Sequence, residues 1–210
     1  MTDMKPSHLL KHAVDRLLAA AVLIAGLPLF ALLIAAIVAE DLLSGEGLMT
    51  PFFREPRLSG GRKFIILKFR ILRPSAVRKV ARGEAGAGGY IKALEHDPES
   101  VSRIGALLRD YYFDELPQVV NILKGEMSFV GPRPIPLKND PLRLKLYGKT
   151  AMRCGLTGIH QLGKGSARSQ DEMDEEYRER WETLSPLRLL AYDAGIMFRT
   201  IFKVSKGEGI

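Results

Sequence analysis

Asp114 and Glu115 stand side by side in "FDELPQVVNILKGEMSFVGPRP", residues 113–134. Like charges on neighbouring residues are harmless on a wet loop. In a closed site they need a partner, and a metal ion or a phosphate neutralised by arginine would serve. Downstream, "VGPRP" holds Arg133 between two prolines, a stiff backbone suited to presenting one guanidinium for bidentate phosphate binding. Upstream, "RKFIILKFR" places Phe64, Ile66, Lys68 and Arg70 on one face under strict alternation, so that Lys68 and Arg70 project together. A pair of cations for a phosphate or lipid headgroup is one reading of that face; a charge-guarded edge strand is the other.

These residues need elements to position them. Pro117 suits the first turn of a helix, and "PQVVNILKG" reads as a short helix with Lys124 in its last turn and Gly125 as a left-handed terminator. Asp114 and Glu115 then precede a helix start, where negative charge is favoured whether as a plain cap or as part of a site. From Ser100 the spacing of Ile104, Leu107, Leu108 and Tyr111 predicts another helix, capped by Ser100 or Ser102, with Arg103 and Arg109 off its apolar stripe. Two β-prone runs flank Ser59-Gly60-Gly61 and predict a hairpin over 51–72. Residues 73–98 read as a surface excursion, partly helical, without chemistry. The glycine-rich, basic 153–169 lacks the Walker pattern. "DEMDEEYRERWETL" reads as a charged, mostly solvent-facing helix. "PLRLLAYDAGIMFRTIFKV" reads as an amphipathic helix that lies in a membrane interface or closes a core.

Residues 17–39 form an uncharged apolar run long enough for a membrane helix. The acidic "EDLLSGEGL" that follows is unlike a signal-peptide cleavage site. Gly26 and Pro28 interrupt the run near its middle. Lys5, Lys11 and Arg16 precede it and Arg54, Arg57, Arg62 and Lys63 follow it, so both flanks are basic. A helix–break–helix that enters one leaflet and returns at Pro28 satisfies the positive-inside rule on both sides; a tilted single span is the alternative. The chain of 210 residues carries a formal charge of +7, which suits an anionic partner. Its one cysteine, Cys154, excludes a disulfide framework within the chain, and no Cys/His cluster has zinc spacing.

Together, "KxxxD" (Lys11, Asp15) before the proline-broken helix, Arg57, "KFR", "RIGALLR", "DELPQ", "GEMSFVGPRP" and "GLTGIHQL" resemble the bacterial sugar transferases, the monotopic phosphoglycosyl transferases. The resemblance covers most of the chain. It departs at Ile71-Leu72, Cys154 and the spacing to Asp193, which bears on donor specificity and on any role for Asp193.

The resemblance implies transfer of a sugar 1-phosphate from a UDP-sugar to undecaprenyl (polyprenyl) phosphate with release of UMP. It implies Asp114 as nucleophile of a phosphosugar–enzyme intermediate and Glu115 as magnesium contact or acid/base, both counted as metal ligands. Lys68, Arg109 and Arg133, with Arg70 from the strand pattern, are the phosphate- and substrate-binding cations. Mg2+ is the implied cofactor, with Mn2+ as the alternative. The implied location is the cytoplasmic face of the bacterial inner membrane, among its lipids, without nucleic acid and with a homodimer left open. The expected fold is α+β and mostly helical: a re-entrant membrane helix within 1–46, then a cytosol-facing catalytic domain over 47–210. That domain holds the hairpin 51–72, a variable loop 73–98, a catalytic core 99–165 and C-terminal helices 170–205, with interfacial amphipathic helices. Two rivals are a membrane-tethered basic adaptor for anionic lipid and a phosphohydrolase with an aspartyl nucleophile.

Overall fold

The structure, a computed structural model, describes residues 6–84, 94–136, 152–163 and 166–205. Residues 85–93 of the expected variable loop, 137–151 of the expected core, and Lys164 and Gly165 of the glycine-rich loop lie outside the described residues. The fold is mostly helical with a small hairpin.

Helix α1 runs Pro6–Ser44, 39 residues with Pro28 inside it. The expected helix–break–helix is one helix here, and it continues through Pro28. A proline removes one intrahelical hydrogen bond, and the turns on either side can keep theirs. α1 is long and apolar enough to be a candidate membrane segment, and only 11% of its most apolar window is buried in the protein. Strand β1, Phe52–Ser59, and strand β2, Arg62–Phe69, form the expected hairpin. Its two turn residues are Gly60 (φ +53°) and Gly61 (φ +73°), the left-handed pair that a two-residue turn matching strand twist requires.

By internal packing the chain forms two compact units. The first comprises Met1–Ile24, Arg54–Leu67 and Gln118–Ile210. It contains helix α4, Gln118–Lys124, which ends at the expected left-handed Gly125. Strand β3, Ser128–Val130, pairs in parallel with β5, Gly155–Thr157, and β4, Ile135–Pro136, pairs antiparallel with β1. Short helix α5, Ile159–Leu162, precedes α6, Gln170–Thr183, and α7, Pro186–Ser205. α6 starts with a capping box between Ser169 and Glu172. It is less solvent-facing than its charge suggests, because Met173, Asp174, Tyr177 and Trp181 form a buried inner row. The core gathers Ala19, Phe64, Ile66, Ile122, Val130 and Leu189 among others. α7 buries Leu189, Asp193, Ile196 and Thr200 on one face and exposes Leu187, Phe198, Ile201 and Phe202 on another.

The second unit comprises Ala25–Phe53 and Lys68–Pro117. Leu33 and Ile37 of α1 pack with Phe69 and Leu108, joined by Phe30, Phe52 and Ile104. Helix α2, Pro74–Ala81, takes its proline in the first turn and buries Pro74 and Ala76, so part of the expected excursion is a packed helix. Helix α3, Arg103–Asp110, is capped by Ser102, whose hydroxyl accepts from Gly105 N. Glu40 of α1 adds a second cap, accepting from Arg103 N at 2.6 Å and Ile104 N at 3.0 Å. Gly105 is obligatory for a different reason. A Cβ there would stand 2.0 Å from the carbonyl oxygen of Ile71.

Candidate active site

After α3 the chain turns sharply. Tyr112 sits at φ +59°, the one non-glycine residue with positive φ among those described. Left-handed backbone is uncommon for a bulky side chain and marks a conformation that the surroundings impose. The chain then forms a 3-10 turn over Phe113–Glu115, which carries both carboxylates. Lys68, near the end of β2, reaches them from across the second unit. Its Nζ is 2.5 Å from Glu115 Oε1 and 3.5 Å from Asp114 Oδ2. The ammonium thus stands against both acids, 46 and 47 positions away in sequence.

The two acids differ in setting. The Asp114 side chain is 12% exposed, while the Glu115 side chain is 28% exposed. Burial pushes the Asp114 carboxyl up to about 6; the Lys68 charge opposes this, and the Glu115 and Glu95 charges reinforce it. Lys68 is desolvated too, which favours its neutral form, but the Glu115 and Asp114 charges outweigh that and its ammonium is held above the ordinary range. A buried carboxyl raised towards neutral pH beside a cation has the properties that catalytic sites use and that structural ion-pair networks share.

The other expected site residues are placed as follows. Arg70 is almost fully buried and committed. It donates to Asp41 Oδ2 at 2.6 Å, to Thr50 O at 3.0 Å and to Leu72 O at 2.5 Å. Strand β2 ends at Phe69, which is itself buried, so the alternation stops before it reaches Arg70. Arg109, in the last turn of α3, donates to Asp110 Oδ1 at 2.9 and 3.0 Å and to the Glu95 carbonyl. Arg133 belongs to the first unit and is exposed. Its neighbour there is Arg57, which donates to Pro134 O at 3.2 Å and also pairs with Glu55. The structure therefore brings together Lys68, Asp114 and Glu115. Glu95, whose charge acts on both Asp114 and Lys68, was not legible in a stretch read as having no chemistry.

Among the described residues no group of three or more His, Cys, Asp or Glu side chains could hold a metal ion. Asp114 and Glu115 are hard oxygen donors of the kind of which magnesium commonly takes one or two; in this structure the Lys68 ammonium stands against both.

A family model described as bacterial sugar transferase matches residues 6–207. The chain is 32% identical to the exopolysaccharide production protein ExoY of Sinorhizobium fredii, over 95% of this chain and 87% of the relative. It is 30% identical to the UDP-glucose:undecaprenyl-phosphate glucose-1-phosphate transferase of Escherichia coli, over 94% of this chain and 40% of the relative. To the UDP-galactose-lipid carrier transferase of Erwinia amylovora it is 29% identical, over 97% of this chain and 43% of the relative. The chain thus spans less than half of these last two proteins. A match that runs through α1, the hairpin, the carboxylate turn and α7 makes this chain a transferase belonging to the bacterial sugar transferase family.

Proposed function

We propose that the protein transfers a sugar 1-phosphate from a UDP-sugar to undecaprenyl phosphate, releasing UMP, at the cytoplasmic face of the bacterial inner membrane. The observation that carries this reading is the buried Asp114 beside Glu115, with Lys68 against both, in a chain similar to lipid-carrier sugar transferases.

In the first step an Asp114 carboxylate oxygen attacks the sugar-bearing phosphorus. A P–O bond forms to Asp114, the bond to the bridging oxygen breaks, and UMP leaves with that electron pair. In the second step a phosphate oxygen of the polyprenyl phosphate attacks the same phosphorus and the Asp114–phosphorus bond breaks. The products are free Asp114 carboxylate and a polyprenyl diphosphosugar. Splitting the displacement in two avoids a direct encounter of two anionic substrates. Asp114 and Glu115 would hold magnesium, or manganese in its place; the ion would offset diphosphate charge. Lys68 orients the pair and lowers the Asp114 carboxyl towards its ionised form. Arg109, in the same unit as the carboxylates, is assigned to a phosphate. Arg70 contributes through the frame, since Asp41, Thr50 and Leu72 occupy its guanidinium.

An acceptor with a long lipid requires a site at the membrane. The uncharged run of α1, with basic residues on both flanks, supports re-entry at Pro28 over crossing. The apolar row Leu187, Phe198, Ile201 and Phe202 on α7 supports contact with the lipid interface.

The test is UMP release by protein in nanodiscs with magnesium and a panel of UDP-sugars, with and without undecaprenyl phosphate, beside Asp114→Asn. Acceptor-dependent release, lost in the variant and on chelation, is the expected result. Turnover undiminished by Asp114→Asn would remove the mechanism.

A further inference from the structure

His12 is 5% exposed, yet among the described residues neither ring nitrogen has a hydrogen-bond partner. One guanidinium nitrogen of Arg153, Nη1, is likewise buried without an acceptor among the described residues. Both residues lie in the first unit. Buried donors left unpaired are costly, and a native fold that keeps several together invites an explanation.

The charges around them are mostly positive. Arg153, Lys11 and Arg16 all bear on His12, and Arg16 and Arg62 both bear on Arg153. His12 and Arg16 are one helical turn apart on α1, on the same face. Two acids are near: Asp15, which also bears on Arg153, accepts from Ser128 and lies 3.4 Å from Lys11 Nζ, and Asp193 is 2.5 Å from the same ammonium. Among the described residues, the cations Lys11, Arg16, Arg62 and Arg153 outnumber the carboxylates Asp15 and Asp193 here. The Arg16 guanidinium extends towards the end of α4, with Nη2 3.5 Å from Lys124 O. It fits there because Gly125 has no side chain; a Cβ on Gly125 would stand 2.1 Å from that nitrogen.

We propose that Arg153, Arg16 and His12 form a binding site for a phosphoryl anion. The required ligand carries negative charge and several acceptor oxygens pointing in different directions. A phosphoryl group offers three, one edge of which matches a guanidinium fork while another oxygen meets the imidazole. Arg16 immediately precedes the uncharged run that begins at Leu17, so the site lies where a membrane helix meets the polar boundary. The group could be borne by a lipid headgroup or by a water-soluble phosphate, and the experiment separates the two.

The full-length protein, labelled at histidine with 15N and held in maltoside micelles, is titrated with inorganic phosphate and separately with dihexanoyl phosphatidic acid. Sodium chloride keeps ionic strength constant. His12→Gln identifies the His12 ring signals. The expected result is a saturable shift of those signals alone. Saturation by inorganic phosphate assigns a soluble group, and saturation by the lipid only assigns a headgroup. Arg153→Gln weakens the binding roughly tenfold or more, the scale of one charge-assisted contact. Arg153→Lys, which keeps the charge but not the fork, falls between. The other histidine signals report that each variant is folded. No saturable His12 shift with either ligand, or one unchanged in both Arg153 variants, overturns the proposal.

Discussion

Lys11 Nζ lies 2.5 Å from Asp193 Oδ2, joining positions 182 apart in sequence, and both side chains are almost fully buried. The same ammonium is 3.4 Å from Asp15 Oδ2. Tyr177 Oη is 3.0 Å from Asp193 Oδ1 and 3.0 Å from Val130 O. Lys11→Met leaves two buried carboxylates without their cation and is expected to cost about 3–5 kcal/mol. Asp193→Asn should cost less, because Lys11 keeps Asp15. Denaturant unfolding in micelles gives the ranking, and the reverse order would contradict the network.

Asp114 makes activity and stability depend on pH in opposite ways. As a nucleophile it must be ionised, so kcat/KM should fall as pH drops through about 6. Its folded carboxyl binds a proton more tightly than an unfolded one. Its favourable contribution to stability is therefore present below the ordinary carboxylate value of 3.8 and is lost as pH rises through about 6. Asp114→Asn cannot ionise and should be inactive yet more stable at pH 8, by on the order of 1–3 kcal/mol. Melting curves at pH 5 and pH 8 should show the gap to wild type widening at the higher pH.

Removing Lys68 takes away the charge that lowers the Asp114 carboxyl. Lys68→Met should move the acid limb of the pH–rate profile upward and reduce kcat roughly 100-fold, the scale of one lost electrostatic contact. Lys68→Arg should retain the position of the limb better than it retains kcat. A profile unmoved in Lys68→Met would show that the ion pair is absent in the working enzyme.

Gly105→Ala forces a Cβ into the carbonyl of Ile71. The expected loss is about 1–3 kcal/mol of stability. Because α3 leads directly into the carboxylate turn, kcat should drop with it. Unchanged melting would mean that the backbone around Ile71 gives way freely.

Local features were legible where one residue type has one physical use. Gly60-Gly61 between alternating runs marked the hairpin, and Pro117 with Gly125 bracketed α4. Asp114 and Glu115 stood out by charge and company. Their placement did not, since nothing in a tyrosine announces the left-handed backbone of Tyr112 that aims the turn. Lys68 was found on its strand, but its partners are distant in sequence. Alternation groups Arg70 with Lys68 because it says where a side chain points and not who is waiting there. Asp41, 29 positions earlier, takes it. Lys11 and Asp15 are visible in the sequence as a spacing, and the packed unit shows that Asp193 completes them.

Glu40 and Asp41, adjacent on α1, do separate jobs: one caps α3 and the other holds Arg70. Phe30, Leu33, Ile34 and Ile37 of the same helix pack in the core just before them. Deleting one residue between Phe30 and Glu40 would rotate everything beyond it by about 100° and draw it back about 1.5 Å. The core row would then be out of phase with both acids, and α3 and Arg70 would lose their partners together. This stretch can exchange its letters, but it cannot change its count. Insertions and deletions, which surface loops absorb, are closed to it, so α1 meters the frame of the second unit by length as well as by composition.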